Sequence, residues 1–184
     1  MAIRKAQLTV AVTFAAILTA MTIAFRLTPH VPNVAPIGAL AIFSGALLPK
    51  RIASIFPLVA VIISDLVIGL HSVIFFTWGS YILIAILAPH ITKKLSAINI
   101  IFTSLCASLI FFVLSNFGVW LDGRLYPRTF QGLAQCYFNA LPFFRNTVFG
   151  DLAFTFLFIS VYVLSIGAIK HWRNHAKDST VPVV

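Results

Sequence analysis

Acidic side chains are rare in this sequence, and two of the four lie in or beside apolar segments. Asp65 follows Arg51 by fourteen residues within one such segment, and Asp151 begins another. A carboxylate at membrane depth is costly, so by default it marks a functional site or a specific ion pair. Two interpretations are therefore open for Asp65: pairing with Arg26 or Arg145, or contact with a ligand.

Other polar and aromatic side chains recur near the same ends of the apolar segments. His30 offers a donor and an acceptor nitrogen to a ligand, although it could instead cap backbone groups of its loop. Asn116 and Asn146 could equally cap helix ends, and Trp120 suits an aromatic belt at a membrane interface. Together these residues predict an outward-facing polar pocket. The candidate ligand contacts are His30, Asn33, Asp65, Tyr81, Asn116, Trp120, Asn146 and Asp151.

Catalytic and metal-binding patterns are largely missing. The sequence has no HExxH, no nucleophile elbow and no P-loop, and four acids are too few for most metal-dependent membrane transferases. Cys106 and Cys136 lie thirty residues apart, which disfavours a zinc site or a disulfide framework. We expect no enzyme, no metal and no cofactor. The remaining enzymatic alternative is an intramembrane protease using Ser64 or Ser115 with His30.

The composition predicts a membrane protein. Hydrophobic residues make up 60% of the 184 residues, charged residues 9%, and the mean hydropathy is +1.02. Such a chain has too little polar surface for a soluble globule of its size. The net charge of +9 comes from Lys and Arg residues in short clusters between the apolar runs. Such clusters are typical of topology signals and of contacts with anionic lipids. Nucleic-acid binding would instead require a stripe of basic residues interleaved with aromatic ones, which the sequence lacks.

Six apolar segments predict an all-α integral membrane protein with six transmembrane helices. The second segment is the shortest, since about thirteen residues between Pro36 and Pro49 form only about 20 Å of helix against a hydrocarbon core of about 30 Å. The segments cover approximately residues 8–25, 36–48, 52–70, 72–89, 96–121 and 146–169.

The distribution of Lys and Arg decides whether the second segment crosses. Six crossings with the N-terminus inside place nine cationic residues in the cytoplasm and four outside, whereas five crossings place five inside and eight outside. The positive-inside rule favours six crossings, with both termini cytoplasmic. We therefore expect one membrane domain at 1–170 and a disordered cytoplasmic tail at 171–184. The N-terminal segment resembles a signal peptide, but we expect it to remain as a helix.

Two further features concern helix faces. In the outer loop between the fifth and sixth helices, Thr129 can cap a short amphipathic helix. Its predicted apolar face comprises Phe130, Leu133, Ala134, Tyr137 and Leu141. In the first helix, alanines repeat at four-residue spacing, which allows close approach of another helix, either within the bundle or in a partner. These alanines are Ala11, Ala15, Ala16 and Ala20.

Together these features resemble the substrate-binding S components of energy-coupling factor transporters. More narrowly, the chain is similar to a bacterial family of putative transport proteins grouped with them. The similarity lies in RxxPHxPNxxPIGALAxFSGA (26–46), ISDxxxGxH (63–71), SNxGVWL (115–121), YPxTxxGLxxCYxxALPFFxN (126–146) and GD (150–151).

The resemblance implies a subunit of the bacterial cytoplasmic membrane that binds a vitamin or related micronutrient near the outer face, with cobalamin among the candidates. It also implies a transmembrane coupling protein with ATPase subunits as partner, although some S components are thought to act alone. On this chain, Ala11, Ala15, Ala16 and Ala20 would form the coupling face. The alternative function is a membrane assembly protein without a ligand.

Overall fold

The computed structural model is helical throughout the part of the chain that it describes, and it contains no strand there. It describes the backbone of residues 2–92 and 94–178, and the side chains of 7–92 and 94–172. The helices are α1 (Ala2–Arg26), α2 (Ile37–Leu47), α3 (Lys50–Ala53), α4 (Ile55–Ile68), α5 (Ile74–Ile91), α6 (Ala97–Asp122) and α7 (Phe130–Asp178). The prediction of an all-α protein rich in membrane-spanning helices is confirmed at this level.

Five helical stretches are long and apolar enough to cross a bilayer. Each matches one of the apolar segments of the sequence. They are Gln7–Arg26, Lys50–Ile68, Ile74–Ile91, Ala97–Asp122 and Phe130–Trp172.

The second segment forms the central helix of the bundle. α2 has 11 residues, about 16 Å of helix, and every residue from Ile37 to Gly45 is buried. It packs against α1, α4, α5, α6 and α7. Because other helices surround α2, it needs no polar face, and apolar residues occur on every side of this helix. The shortness of this segment is confirmed, and by length alone it does not qualify as a span.

The third segment is divided by a break at Ser54, between α3 and α4. Pro57 explains the break. Proline has no N–H to donate to the carbonyl of Ala53, and its ring crowds that carbonyl, so Pro57 is tolerated only in the first turn of a new helix.

The bundle has two chemically different ends. At the polar end lie the C-termini of α1 and α4 and the loop of residues 27–36. At the opposite end, Gln7 of α1 and Lys170 of α7 line one cavity. The described start of α1 and the C-terminal part of α7 therefore lie at the same end of the bundle.

The amphipathic helix of the outer loop is not a separate element. Thr129 does cap it, since its Oγ1 accepts a hydrogen bond from the Gly132 N–H at 3.1 Å. The helix then continues without interruption as α7, although Pro142 lies inside it. Pro142 removes one backbone hydrogen bond, while the residues before it and after it still pack on α6.

The buried face of this part of α7 also differs from the prediction. Phe130, Ala134 and Leu141 are exposed, and Leu133 and Tyr137 are half-buried. Small residues take the buried positions instead, because they allow neighbouring backbone to approach closely, such as the Pro127 carbonyl beside Gly132. These residues are Gly132, Cys136 and Ala140.

The backbone of α7 extends into the segment predicted as a tail and is helical through Asp178. The tail at 171–184 stays a prediction. No glycine or proline occurs between Gly167 and Asp178, so nothing in the sequence ends the helix there. Residues 179–184 lie outside the described part of the chain.

The four alanines of α1 divide between two faces. Ala11 and Ala15 are buried in the core cluster with Leu40 and Phe43 of α2, so they are not available to a partner protein. Ala16 and Ala20 are exposed. The alanine spacing thus serves internal packing at two positions.

This division predicts opposite outcomes for two otherwise identical substitutions. Ala15→Leu places three additional carbon atoms in a filled core and should lower the free energy of unfolding by about 1–3 kcal/mol. Ala20→Leu, on the exposed face, should leave stability within about 0.5 kcal/mol of wild type. Thermal unfolding of both variants in the same detergent provides the comparison. Equal losses of stability would contradict the assignment of the two faces.

Candidate functional site

An ion pair closes the polar end of the bundle between α1 and α4. Arg26, the last residue of α1, places Nη2 2.9 Å from Oδ1 of Asp65 and donates from Nη1 to Ser64 Oγ at 2.6 Å. Trp78 Nε1 donates to Oδ2 of Asp65 at 2.7 Å, and His71 Nε2 lies 3.9 Å from the same oxygen. Both carboxylate oxygens of Asp65 are therefore engaged by the protein.

Local backbone geometry brings these side chains together. Gly69 ends α4 with φ 124°, a conformation that favours glycine, so the chain reverses within a few residues and α5 returns beside α4. Trp78 then faces Asp65 across this reversal. Of the two interpretations of Asp65, the structure contains the ion pair, with Arg26 as the partner and not Arg145.

A cavity of about 240 Å³ opens beside this ion pair. Its walls come from the loop of residues 27–36 and from α1, α2, α5, α6 and α7. Asp65 is not among the lining residues, because Arg26 lies between it and the cavity. The lining residues are Arg26, His30, Asn33, Ala35, Ile37, Thr77, Tyr81, Phe111, Thr147 and Asp151.

A second cavity of about 230 Å³ adjoins the first. The two share Asn33, Thr77, Phe111 and Thr147 as lining residues. The second cavity is more apolar, and Asn116 and Ser115 of α6 supply its other polar groups. Its remaining walls are Val73, Phe112, Val119, Ala140, Phe143 and Phe144.

Asp151 is the carboxylate that faces the first cavity. Its residue is 3% exposed, and its Oδ2 accepts a hydrogen bond from Ser108 Oγ at 2.7 Å. The other oxygen, Oδ1, lies against Gly38 in the first turn of α2, where a Cβ atom would collide with it. The N-terminal turn of α2 thus lies directly beside the carboxylate.

The loop of residues 27–36 forms the roof of the first cavity. Asn146 Nδ2 donates to the Pro32 carbonyl at 3.0 Å, which ties the loop to α7. Nδ1 of His30 lies 2.7 Å from the Thr28 carbonyl, and its ring packs on Phe25 at 5.2 Å. Asn33 has φ 63°, a left-handed conformation that asparagine tolerates better than most residues. The roof is therefore fastened on both sides.

The predicted ligand contacts separate into two groups. Five of them line a cavity, namely His30, Asn33, Tyr81, Asn116 and Asp151. Asp65 supports Arg26, Asn146 holds the loop, and Trp120 donates to the Thr129 carbonyl at 3.1 Å. These three stabilise the surroundings of the cavities. Ser64 and Ser115 donate to carbonyls of their own helices, so neither forms the Ser–His pair of a protease with His30.

The sequence prediction of ligand contacts missed two threonines. Thr77 precedes Tyr81 by four residues, and Thr147 precedes Asp151 by four. Residues at this spacing lie on the same face of a helix. This spacing therefore could have identified both threonines once Tyr81 and Asp151 were chosen.

A larger cavity lies at the opposite end, away from this polar cluster. It measures about 990 Å³ and is mainly apolar. Its walls include the C-terminal end of α2, the start of α1 and the segment of α7 from Tyr162 to Lys170. Its lining includes Gln7 and Lys170 but no acidic residue.

Among the described residues, no group of three or more His, Cys, Asp or Glu side chains is arranged to hold a metal ion.

Comparisons with known proteins place the chain in one family. No curated protein and no solved structure matches the sequence. A family profile matches residues 5–173, which is most of the chain. The chain therefore belongs to DUF6580, a family of unknown function.

Proposed function

We propose that this protein is the substrate-binding membrane subunit of an uptake system for a vitamin or related micronutrient, similar to the S components of energy-coupling factor transporters. The observation that supports this proposal most strongly is the pair of adjoining cavities beneath the loop of residues 27–36. One of them is lined by the buried carboxylate of Asp151. Small-molecule sites typically combine apolar walls with a few convergent polar groups.

The size of the cavities restricts the substrate. Each has less volume than the range of about 300–1,000 Å³ that is typical of sites for drug-sized ligands. A small nutrient fits this space, whereas the corrin ring of cobalamin is too large to be enclosed. His30 also has Nδ1 engaged by the Thr28 carbonyl, which disfavours a role as cobalt ligand through that atom.

The orientation that we propose follows from the positive-inside rule. The opposite end, with Lys50, Arg51 and Lys94 nearby, faces the cytoplasm together with both termini, and the polar end faces outward. The membrane is the bacterial cytoplasmic membrane. Ala16 and Ala20 remain exposed on α1 and could contact a transmembrane coupling protein with ATPase subunits. A subunit that acts alone would leave this face to lipid.

Native mass spectrometry of the purified protein tests the proposal. We expect a retained small molecule in wild type and its loss in Thr77→Phe, because Thr77 lines both cavities and the larger ring fills their shared space. Thr13→Phe is the matched control, since Thr13 is exposed on α1, and this variant should keep the molecule. Equal retention by Thr77→Phe and wild type would place the ligand elsewhere and refute the assigned site.

A membrane assembly protein without a ligand is the second candidate. The observation in its favour is that both oxygens of the buried Asp65 carboxylate contact groups of the protein, namely Arg26 and Trp78. This function predicts that wild type carries no small molecule and gains no thermal stability from a panel of vitamins. A ligand that binds the folded state must raise its stability, so the absence of any gain would favour this candidate.

A further inference from the structure

We propose that the ligand of the first cavity is a small organic monocation, a primary ammonium compound, whose charged nitrogen binds Asp151. This inference rests on the proposed function, since it names the substrate class of the same site. The geometry around Asp151 and the charge balance of the cavity each support it.

The first argument is the incomplete set of partners at Asp151. A buried carboxylate normally accepts several hydrogen bonds or pairs with a cation. Ser108 engages only Oδ2, and among the described side chains none donates to Oδ1. Gly38 has no side chain, so the carboxylate lies directly against the backbone of α2. An ammonium group, with three N–H donors, supplies the contacts that the carboxylate lacks.

The second argument is the formal charge around the cavity. Arg26 is the cationic arginine of the lining, and the neighbouring carboxylate of Asp65 already compensates it at 2.9 Å. Asp151, in contrast, has no ionic partner among the described arginine and lysine side chains. An unpaired charge at low dielectric is costly, whereas a bound monocation would remove that cost.

The size of the cavity distinguishes an organic cation from a metal ion. About 240 Å³ greatly exceeds the volume of a bare monovalent ion. The rings of Tyr81 and Phe111 stack with centroids 5.1 Å apart and form one wall. Aromatic faces attract cations and also cover apolar carbon atoms. The Tyr81 hydroxyl has no hydrogen bond within the described residues, so it remains available to a polar group of the ligand.

Pairs of probes that differ only in charge test this inference. Wild-type protein in nanodiscs is titrated at pH 7 with a panel of primary amines of increasing size and with the alcohols of the same shape, such as benzylamine and benzyl alcohol. We expect saturable binding of at least one amine and at least about tenfold weaker binding of its alcohol. Sodium and potassium chloride are titrated separately as competitors.

Two variants localise the binding. Asp151→Asn should weaken the amine at least about tenfold, and Ser108→Ala should weaken it by a smaller factor because the carboxylate keeps its charge but loses its orienting partner. Ser108→Ala also serves if Asp151→Asn does not fold. Asp122→Asn is the matched control, since Asp122 lies outside both cavities and pairs with Arg124. It should bind the amine as wild type does.

Each alternative outcome has a distinct meaning. If a neutral or anionic nutrient binds the cavity and no amine does, the substrate class is wrong while the proposed function stands. If sodium or potassium alone binds in a manner that Asp151→Asn abolishes, the cavity is an inorganic ion site and the ammonium proposal fails. If no compound of any charge binds and native mass spectrometry finds no retained molecule, both proposals fail.

Discussion

Replacing Arg26 by methionine is expected to lower the free energy of unfolding by about 3–5 kcal/mol, the usual cost of leaving one member of a buried ion pair alone. Asp65 is almost fully buried and would keep only the hydrogen bond from Trp78 and the more distant His71. Ser64 would lose its donor from Arg26 as well. The pair joins the ends of α1 and α4, so its loss should loosen the polar end of the bundle.

Thermal or denaturant unfolding in a fixed detergent measures this effect, and the exposed pair Arg124–Asp122 is the reference. Arg124→Met should change stability by less than about 1 kcal/mol, because exposed ion pairs contribute little. The double variant Arg26→Met with Asp65→Asn should recover part of the loss, since no charge then stays buried. If Arg26→Met were as mild as Arg124→Met, the ion pair would not be a stabilising feature of the fold.

A methyl group at Gly45 should destabilise the bundle. The Cβ atom of Gly45→Ala would collide with the carbonyl oxygen of Ala85 and lie 2.8 Å from Ala88 Cβ. Both neighbours belong to the framework of α5, so no flexible side chain can move aside. Overpacking of this kind typically costs about 1–3 kcal/mol, and contact with backbone favours the upper end of that range.

Gly79→Ala is the matched control for Gly45→Ala. Gly79 lies in the interior of α5, and a Cβ atom there meets nothing within 4 Å. Alanine favours helix over glycine, so this variant should be neutral or more stable by up to about 1 kcal/mol. Unfolding midpoints of the two variants should therefore move in opposite directions. A loss of equal size in both would indicate that helix-wide effects, and not the contact between α2 and α5, determine the cost.

The elements of the fold were largely predictable, because hydrophobic runs and prolines mark them directly. The short second segment was visible between Pro36 and Pro49, and α2 lies within one residue of its predicted start and end. The continuity of α7 was not predictable in the same way. Pro142 and the polar residues around it indicate a loop, while contact with α6 keeps the chain helical there. Such tertiary contacts leave no local pattern.

The sequence predicted that the rare charged residues lie together, and the structure brings Arg26, Asp65 and Asp151 to the polar end of the bundle. That this end binds a ligand stays a prediction. Sequence could not tell which carboxylate is paired, because the partners Arg26 and Trp78 of Asp65 lie 39 and 13 residues away along the chain. Asp65 was the preferred ligand contact, yet Asp151 faces the cavity. The packing of α1, α2, α5, α6 and α7 around this cavity made that distinction.

The burial of α2 also has a consequence for how the protein is made. A segment of 11 residues is too short to be stable alone in the hydrocarbon layer, where each unsatisfied backbone group is costly. It leaves the ribosome before α4, α5, α6 and α7, which later surround it. Its final position can therefore be reached only after the last helix has been inserted. Biogenesis of this protein ends with the assembly of its centre, so truncation within α7 should expose α2 to quality-control proteases.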